Sequence, residues 1–321
     1  MLPAAVFLLV AFFTALYLPL GQRLQHLDQP NARSAHRQPT LSSGGVAVIG
    51  GLLLVLGAGI FLELLVLGVR ERWALCFIGL FSLVGLVDDR RPLPVALRLS
   101  VFLLLSAATA WLYLPGHGVL VLGIVALALC WLVNLYNFMD GIDGIAALQC
   151  ALVAAGLAGL GWLGGAPTSF VVAALAAAAA YGAFLCFNWP PARLFMGDAG
   201  SLSAGYMLGW LGLWGTVDGY LCALCWCLLM SPFLVDTGVT LALRMGRGER
   251  ITEAHSTHAY QRLARHFGSQ RRVDLGLLLL QLCWLLPLAL AHQLEWLAGT
   301  TCIPLALFPQ LFLIAKAMRL Q

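Results

Sequence analysis

Asn134, Asn137, Asp140 and Asp143 stand three residues apart in the run Asn134-Leu135-Tyr136-Asn137-Phe138-Met139-Asp140-Gly141-Ile142-Asp143-Gly144. They follow directly on an apolar segment, Val119 to Val133. Burying a carboxylate in an apolar medium is costly unless it is paired or binds a cation. Three-residue spacing places successive side chains on neighbouring positions of a helix. Gly141 and Gly144 let the backbone leave that helix and come close to a ligand. A donor set made only of oxygens and amides favours a hard cation such as Mg²⁺ over zinc. Helix capping explains one or two of these residues but not four.

Four further groups have the types to join such chemistry. Asp88 and Asp89 are adjacent carboxylates before Arg90 and Arg91; each raises the other's pKa unless a cation intervenes, and the plainer reading is a solvated helix end. Asp198 lies in Phe195-Met196-Gly197-Asp198-Ala199-Gly200-Ser201, where it could also be an N-cap. Asp236 is a lone acid in an apolar segment after Pro232, a placement that points to function. His255 and His258 lie among arginines in the stretch Arg250 to Arg262, with Tyr260 and Gln261. No third or fourth zinc ligand accompanies them, so a basic hydrogen-bonding set for phosphate or sugar is the better reading.

The elements that carry these groups are membrane helices. The chain of 321 residues is 61% hydrophobic and only 10% charged, against about 25% charged in a soluble domain. Apolar stretches of spanning length can be marked at 2–20, 46–68, 73–87, 97–114, 119–136, 145–163, 169–187, 201–214, 219–243, 273–292 and 296–315. The fold expected is therefore all-α and polytopic, with about eleven transmembrane helices; because the third and eighth stretches are short, ten is the alternative. Sixteen of the eighteen basic residues fall on the odd-numbered side, leaving only Arg70 and Arg72 on the other. By the positive-inside rule that side is cytoplasmic, with the N-terminus outside and the C-terminus inside. The first segment has no basic residue before it, which favours an uncleaved anchor over a signal peptide. Residues 1–321 read as a single transmembrane domain, its chemistry facing the cytoplasm. Cys222, Cys225 and Cys227 read as small buried hydrophobes. The net charge of +4 reflects topology and implies no nucleic acid.

Taken together, Asp88-Asp89, the Asn134-to-Gly144 run, Phe195-Met196-Gly197-Asp198 and the late histidine stretch resemble the polyprenyl-phosphate N-acetylhexosamine-1-phosphate transferases. The likeness runs in order from about Asp28 to Arg265. It includes an early stretch, Asp28-Gln29-Pro30-Asn31-Ala32-Arg33-Ser34-Ala35-His36, similar to that family's first cytoplasmic loop. The resemblance implies transfer of N-acetylhexosamine-1-phosphate from a UDP-sugar to undecaprenyl phosphate, with release of UMP, at the bacterial inner membrane. It implies Mg²⁺, with Mn²⁺ able to substitute, in a shell of Asp198, Asn137, Asp140 and Asp143. It further implies Asp88 or Asp89 acting on the lipid phosphate, with Asp143 also in the catalytic group. Arg33, His36, Asn134, Asn137, Asp140, Phe195, Asp236, His255, His258, Tyr260, Gln261 and Arg262 are then the substrate-binding candidates, and a homodimer is implied.

Peptidoglycan members of the family end in three consecutive histidines, whereas Thr257 here stands at the middle position. The pattern His255-x-x-His258-Ala259-Tyr260-Gln261 looks most like the branch that initiates O-antigen or related surface glycans. The competing expectations are a phospho-N-acetylmuramoyl-pentapeptide transferase and, from other classes, a cation-coupled transporter or an intramembrane aspartyl protease. The transporter would place its polar groups near the midplane, and the protease needs neither a second acidic cluster nor a basic histidine stretch.

Overall fold

Eighteen-residue apolar windows interrupted by Gly and Pro turns leave the chain little choice but consecutive helices, since in lipid every backbone polar group must be satisfied within its own element. A computed structural model describes residues 1–23, 27–28, 40–249 and 257–319. Arg33, His36 and His255 lie outside the described residues. Among the described residues the order is α1 (Leu2–Arg23), β1 (Leu27–Asp28), β2 (Thr40–Leu41), α2 (Gly45–Phe61), α3 (Val69–Arg90), α4 (Val95–Tyr113), α5 (Val119–Phe138), α6 (Ile145–Leu163), α7 (Thr168–Asn188), α8 (Asp198–Val217), α9 (Ala223–Gly246) and α10 (Ala259–Phe267). These are followed by α11 (Gln270–Gln293), which passes through a π-helical stretch at Gln281–Leu285, and by α12 (Gly299–Arg319).

Each of the eleven apolar stretches has its helix, although 46–68 outruns α2, which ends at Phe61, and α10 is additional and short. Eight helices, α1, α4, α5, α6, α7, α9, α11 and α12, are long and apolar enough to cross a membrane, while α2 is apolar but only 17 residues long. The chain is thus a helical, multi-pass membrane protein. Its only strands among the described residues are β1 and β2, an antiparallel pair of two residues each.

Helix α8 is the axis of the packing. It lies against α3 and α5, and more lightly against α2 and α6, and nearly every residue from Ala199 to Trp214 is buried. Its small residues permit this, because close helix approach in lipid relies on van der Waals contact between backbones. A Cβ at Gly205 would stand 2.8 Å from the Tyr136 Cβ and 3.0 Å from the Leu132 carbonyl. Helices α6, α7, α1 and α2 extend the packing on one side, and α9, α11 and α12 form a second group.

Basic residues were expected to be scarce at the end where α8 finishes, and Arg70 there is neutralised locally. Its guanidinium pairs with Glu71 (2.6 Å) and with Asp218, and lies 4.8 Å over the Tyr113 ring. Trp214 Nε1 donates to Asp218 (3.0 Å), and Trp210 Nε1 donates to the Tyr113 hydroxyl (2.6 Å). The network fastens α3, α4 and α8 together at that end.

Gly205→Leu should destabilise the protein by about 1–3 kcal/mol through overpacking, read as a lower melting temperature in detergent. A melting temperature equal to wild type would mean that α5 and α8 are not in this contact.

Candidate functional site

At the other end of α8 the carboxylates gather. Helix α3 finishes with Asp88 and Asp89, α5 finishes just before Asp140, and α8 starts at Asp198. The stretch leading into α8 is fixed by backbone pairing: Phe195 N–H donates to Leu41 O (2.7 Å), while Gly44 and Gly45 N–H donate to the Phe195 and Met196 carbonyls (2.9 and 2.8 Å). Gly197 then turns the chain with φ +69°, and any side chain there would run into the Asp89 carboxylate. Gly85 and Gly45 leave room for the backbone of Asp198 to Gly200 to lie directly on α3 and α2.

Asp89 is the post around which this is built. Its Oδ1 accepts the Asp198 N–H (2.8 Å) and its Oδ2 accepts the Ser43 hydroxyl (3.0 Å). One side chain thus ties α3 to the start of α8 and to the segment before α2. Asp88 is held differently: Oδ1 accepts the Leu93 N–H (2.6 Å), and Oδ2 forms an ion pair with Arg98 of α4. Arg98 also lies 3.8 Å from Asp198 Oδ2. In the sequence Arg98 is one of the sixteen basic residues that mark the cytoplasmic side; the structure makes it a basic member of the carboxylate cluster. A lone cation at the foot of an apolar span, nine residues after a carboxylate pair, was the signal available.

Asp198 is the first residue of its helix, and its side chain caps no backbone group. Its Oδ1 instead accepts Asn137 Nδ2 (2.7 Å), which also reaches Ser201 Oγ at 3.0 Å. The structure therefore brings Asp88, Asp89, Asn137 and Asp198 together. Asn134, one turn earlier on α5, donates to Cys130 O (3.0 Å) within its own helix.

Helical spacing holds for Asn134 and Asn137 but not beyond, because α5 ends at Phe138 and Asp140 and Asp143 lie in the following turn. Gly144, at φ +82°, begins α6, and its N–H is held by Asn188 Oδ1 (3.0 Å). Asp143 N–H donates to Gln270 Oε1 (2.7 Å), and Asp143 Oδ2 accepts the Ala192 N–H (2.9 Å). One turn after Gln270, Asp274 is fully buried against Gly144, and neither of its oxygens has a hydrogen-bond partner. Sequence reasoning passed over Asn188, Gln270 and Asp274, since their roles come from helices that meet only in three dimensions.

Asp140 is pushed up to about 7, first by burial and then by the Asp89 and Asp143 carboxylates. Crowded like charges make the neutral form favourable. Among the described residues no three His, Cys, Asp or Glu side chains already converge on one point as a metal shell. The donor chemistry nonetheless fits a hard cation: carboxylates and amides, more of the former than Arg98 balances among the described residues.

The histidine stretch is docked onto this turn by α9. Asp236 Oδ1 accepts the Ala259 N–H and the Thr240 hydroxyl (both 3.0 Å), and faces His258 Nδ1 at 3.2 Å; Oδ2 accepts the Tyr260 N–H (3.0 Å). A carboxylate only accepts, so His258 carries its proton on Nδ1 in this contact. Asp236, a substrate-binding candidate in the sequence, is occupied as the N-terminal anchor of α10. Tyr260 donates from its hydroxyl to Phe138 O (3.1 Å) and stacks on His258 at 5.8 Å. A Cβ at Gly141 would stand 2.2 Å from the Tyr260 hydroxyl and 2.6 Å from Gln261 Nε2, so a side chain there would displace both. Arg262 Nε donates to Thr257 O (3.1 Å).

Residues 72–216, the segment that contains Asp88, Asp89, the Asn137-to-Asp143 turn and Asp198, match the model of glycosyl transferase family 4. The chain is 26% identical, over 83% of its length and 77% of the relative's, to the probable undecaprenyl-phosphate N-acetylglucosaminyl 1-phosphate transferase of Bacillus subtilis (strain 168). It is 28% identical to the decaprenyl-phosphate N-acetylglucosaminephosphotransferase of Mycolicibacterium smegmatis, over 82% of this chain and 75% of the other. With the protein of the same description from Mycobacterium leprae the identity is 27%, over 82% and 76%.

Two outcomes are expected from this geometry. In EDTA, an Asp140 carboxyl held up near 7 keeps a proton that the unfolded chain loses near pH 4. Stability should therefore fall as pH rises from about 4 to about 7 and level off above, and Asp140→Asn should flatten that slope in thermal unfolding. Asp236→Ala should speed hydrogen exchange at the Ala259 and Tyr260 amides by about tenfold or more, while α3 and α8 stay protected; unchanged exchange there would contradict the anchor.

Proposed function

We propose that this chain, whose residues 72–216 match glycosyl transferase family 4, transfers N-acetylhexosamine-1-phosphate from a UDP-sugar to undecaprenyl phosphate, releasing UMP. The observation that carries the reading is the meeting of three separated motifs, at Asp88-Asp89, Asn137-to-Asp143 and Asp198, around one end of α8 inside the family-matched segment. A transporter site would sit mid-helix, whereas these groups all stand at helix ends. The donor is UDP-N-acetylglucosamine or a 6-deoxy relative, consistent with the N-acetylglucosamine named for the curated relatives. The product starts O-antigen or another surface glycan. In this reading the cluster faces the cytoplasm, an orientation the basic residues support, in a bacterial inner membrane, and residues 1–321 work as one catalytic domain of a homodimer.

In the reaction a phosphate oxygen of the lipid attacks the sugar-bearing phosphorus of the donor; the diphosphate P–O bond breaks and UMP leaves with the electron pair. Nucleophile and leaving group are both anionic, so positioning and charge neutralisation dominate the barrier. Mg²⁺, or Mn²⁺ in its place, would be held by Asp198 with Asn137, Asp140 and Asp143, and would neutralise charge on the diphosphate.

The chain's own groups divide the remaining work. Asp89 is committed to backbone and Ser43 donors, which suits it to holding the site's shape. Asp88 is paired with Arg98, a cation that a phosphate can compete for, so Asp88 is our choice to take the proton of the lipid phosphate or orient it. Arg98, released from Asp88, is placed to meet phosphate oxygens near Asp198. Phe195, His258, Tyr260, Gln261 and Arg262, with Arg33, His36 and His255, form the proposed wall for the nucleotide and sugar. The polyprenyl tail lies along apolar helix faces, so the acceptor reaches the site without leaving the bilayer.

Asp198→Asn should lower UMP release by about a hundredfold or more while the purified protein keeps its melting temperature. Wild-type protein with UDP-N-acetylglucosamine and undecaprenyl phosphate should yield a labelled lipid that extracts into butanol and that disappears in EDTA. Full turnover in EDTA would remove the cation from this account, and no labelled lipid with any of a panel of UDP-sugars would remove the transferase.

A further inference from the structure

About 30 Å from the carboxylates, at the far end of a 20-residue helix, the turn between α8 and α9 carries Cys222-Ala223-Leu224-Cys225. The expectation of buried apolar cysteines holds for Cys225, which has no exposed surface, but Cys222 is exposed. Cys222 is the N-cap of α9, with extended backbone at φ −71°, ψ 132°. Cys225 is the third residue of that helix, less than one turn on from Cys222, and the two meet the same side chain, Gln293. The arrangement pairs an exposed thiol with a buried one behind it.

A base stands beside the exposed thiol. His292 Nε2, from the end of α11, is 3.4 Å from Cys222 Sγ, while His292 Nδ1 is 2.9 Å from the Leu297 carbonyl. A carbonyl only accepts, so Nδ1 carries the hydrogen, and Nε2 of the neutral ring presents its lone pair to the thiol. Gln293 fixes the geometry from the same helix: its Oε1 accepts the Cys222 N–H (3.2 Å) and the Cys225 thiol (3.4 Å). The Cys225 thiol also reaches the Ala289 carbonyl at 3.4 Å.

We propose that Cys222 and Cys225 are a reversible dithiol–disulfide couple, oxidised by a low-molecular-weight disulfide. His292 takes the Cys222 proton, and the sulfur attacks one sulfur of the disulfide; its S–S bond breaks, and the released thiolate picks up that proton. Cys225 then attacks Cys222 Sγ, forming the internal S–S bond and expelling the second thiol, which leaves with the Cys225 proton. The two cysteines lose two electrons and two protons, and the incoming disulfide becomes two thiols. In the orientation proposed above this couple lies on the outer face, where disulfides persist. The chemistry itself does not depend on the transferase reading.

The test equilibrates the purified full chain with oxidised and reduced glutathione at stepped ratios, followed by acid quenching, alkylation, digestion and mass spectrometry. At oxidising ratios the peptide holding both cysteines should lose two hydrogens, escape alkylation, and recover both thiols on reduction. Cys222→Ser, at an exposed position, should leave Cys225 alkylatable throughout. His292→Gln should slow formation of the bond by about tenfold or more without removing it at equilibrium. Independent alkylation of Cys222 and Cys225 at every ratio would overturn the couple, as would a Cys225–Cys302 link in its place. An unchanged rate in His292→Gln would overturn the part given to the imidazole.

Discussion

The hydrogen bonds of Asp89 carry more of this architecture than any single apolar contact. A carboxylate at the rim of a bilayer must find donors, and Asp89 takes them from the backbone of Asp198 and the hydroxyl of Ser43. To deliver those donors, the start of α8 has to lie on the ends of α3 and α2 at backbone contact. Gly45, Gly85 and Gly197 are the positions that allow it. The electrostatic requirement and the steric one are thus the same requirement. Asp198 then stands beside Asn137 and within reach of Arg98 without needing to be aimed by its own side-chain packing.

The two ends of α8 solve opposite problems. At one end Arg70, Glu71 and Asp218 close on each other with Tyr113, Trp210 and Trp214 around them, and these three charges partner one another. At the other, carboxylates outnumber the cations that face them among the described residues, and Asp140 is raised there by burial first and by Asp89 and Asp143 after it. Self-satisfied charge suits a structural clamp; uncompensated charge suits a place where a cation and a polyanion arrive together.

The helices and the acidic clusters were legible because apolar run length and charge are local properties: each stretch from 2–20 to 296–315 has its helix. The end of α5 was harder to place. A three-residue period continues through Asp140 and Asp143, yet α5 ends at Phe138, and Gly144 at positive φ, held by Asn188, starts the next helix. Arg98 read as topology because its partner Asp88 lies on the preceding helix. Asp236 drew notice as a costly acid, correctly, but its partners are backbone amides more than twenty residues away. Cys222 was hidden for the same reason, since the imidazole that distinguishes it comes from α11. What the sequence withholds in each case is a pairing between elements that only the assembled bundle creates.

That anchoring of α10 from α9 carries through to α5. Because Asp236 holds the amides of Ala259 and Tyr260, and Tyr260 in turn holds the carbonyl of Phe138, the docked turn owes its position to the transmembrane scaffold. The wall that Tyr260 and Gln261 present beside Gly141 is therefore set by the same helix bundle that sets the carboxylates, and the two faces of the site share one frame.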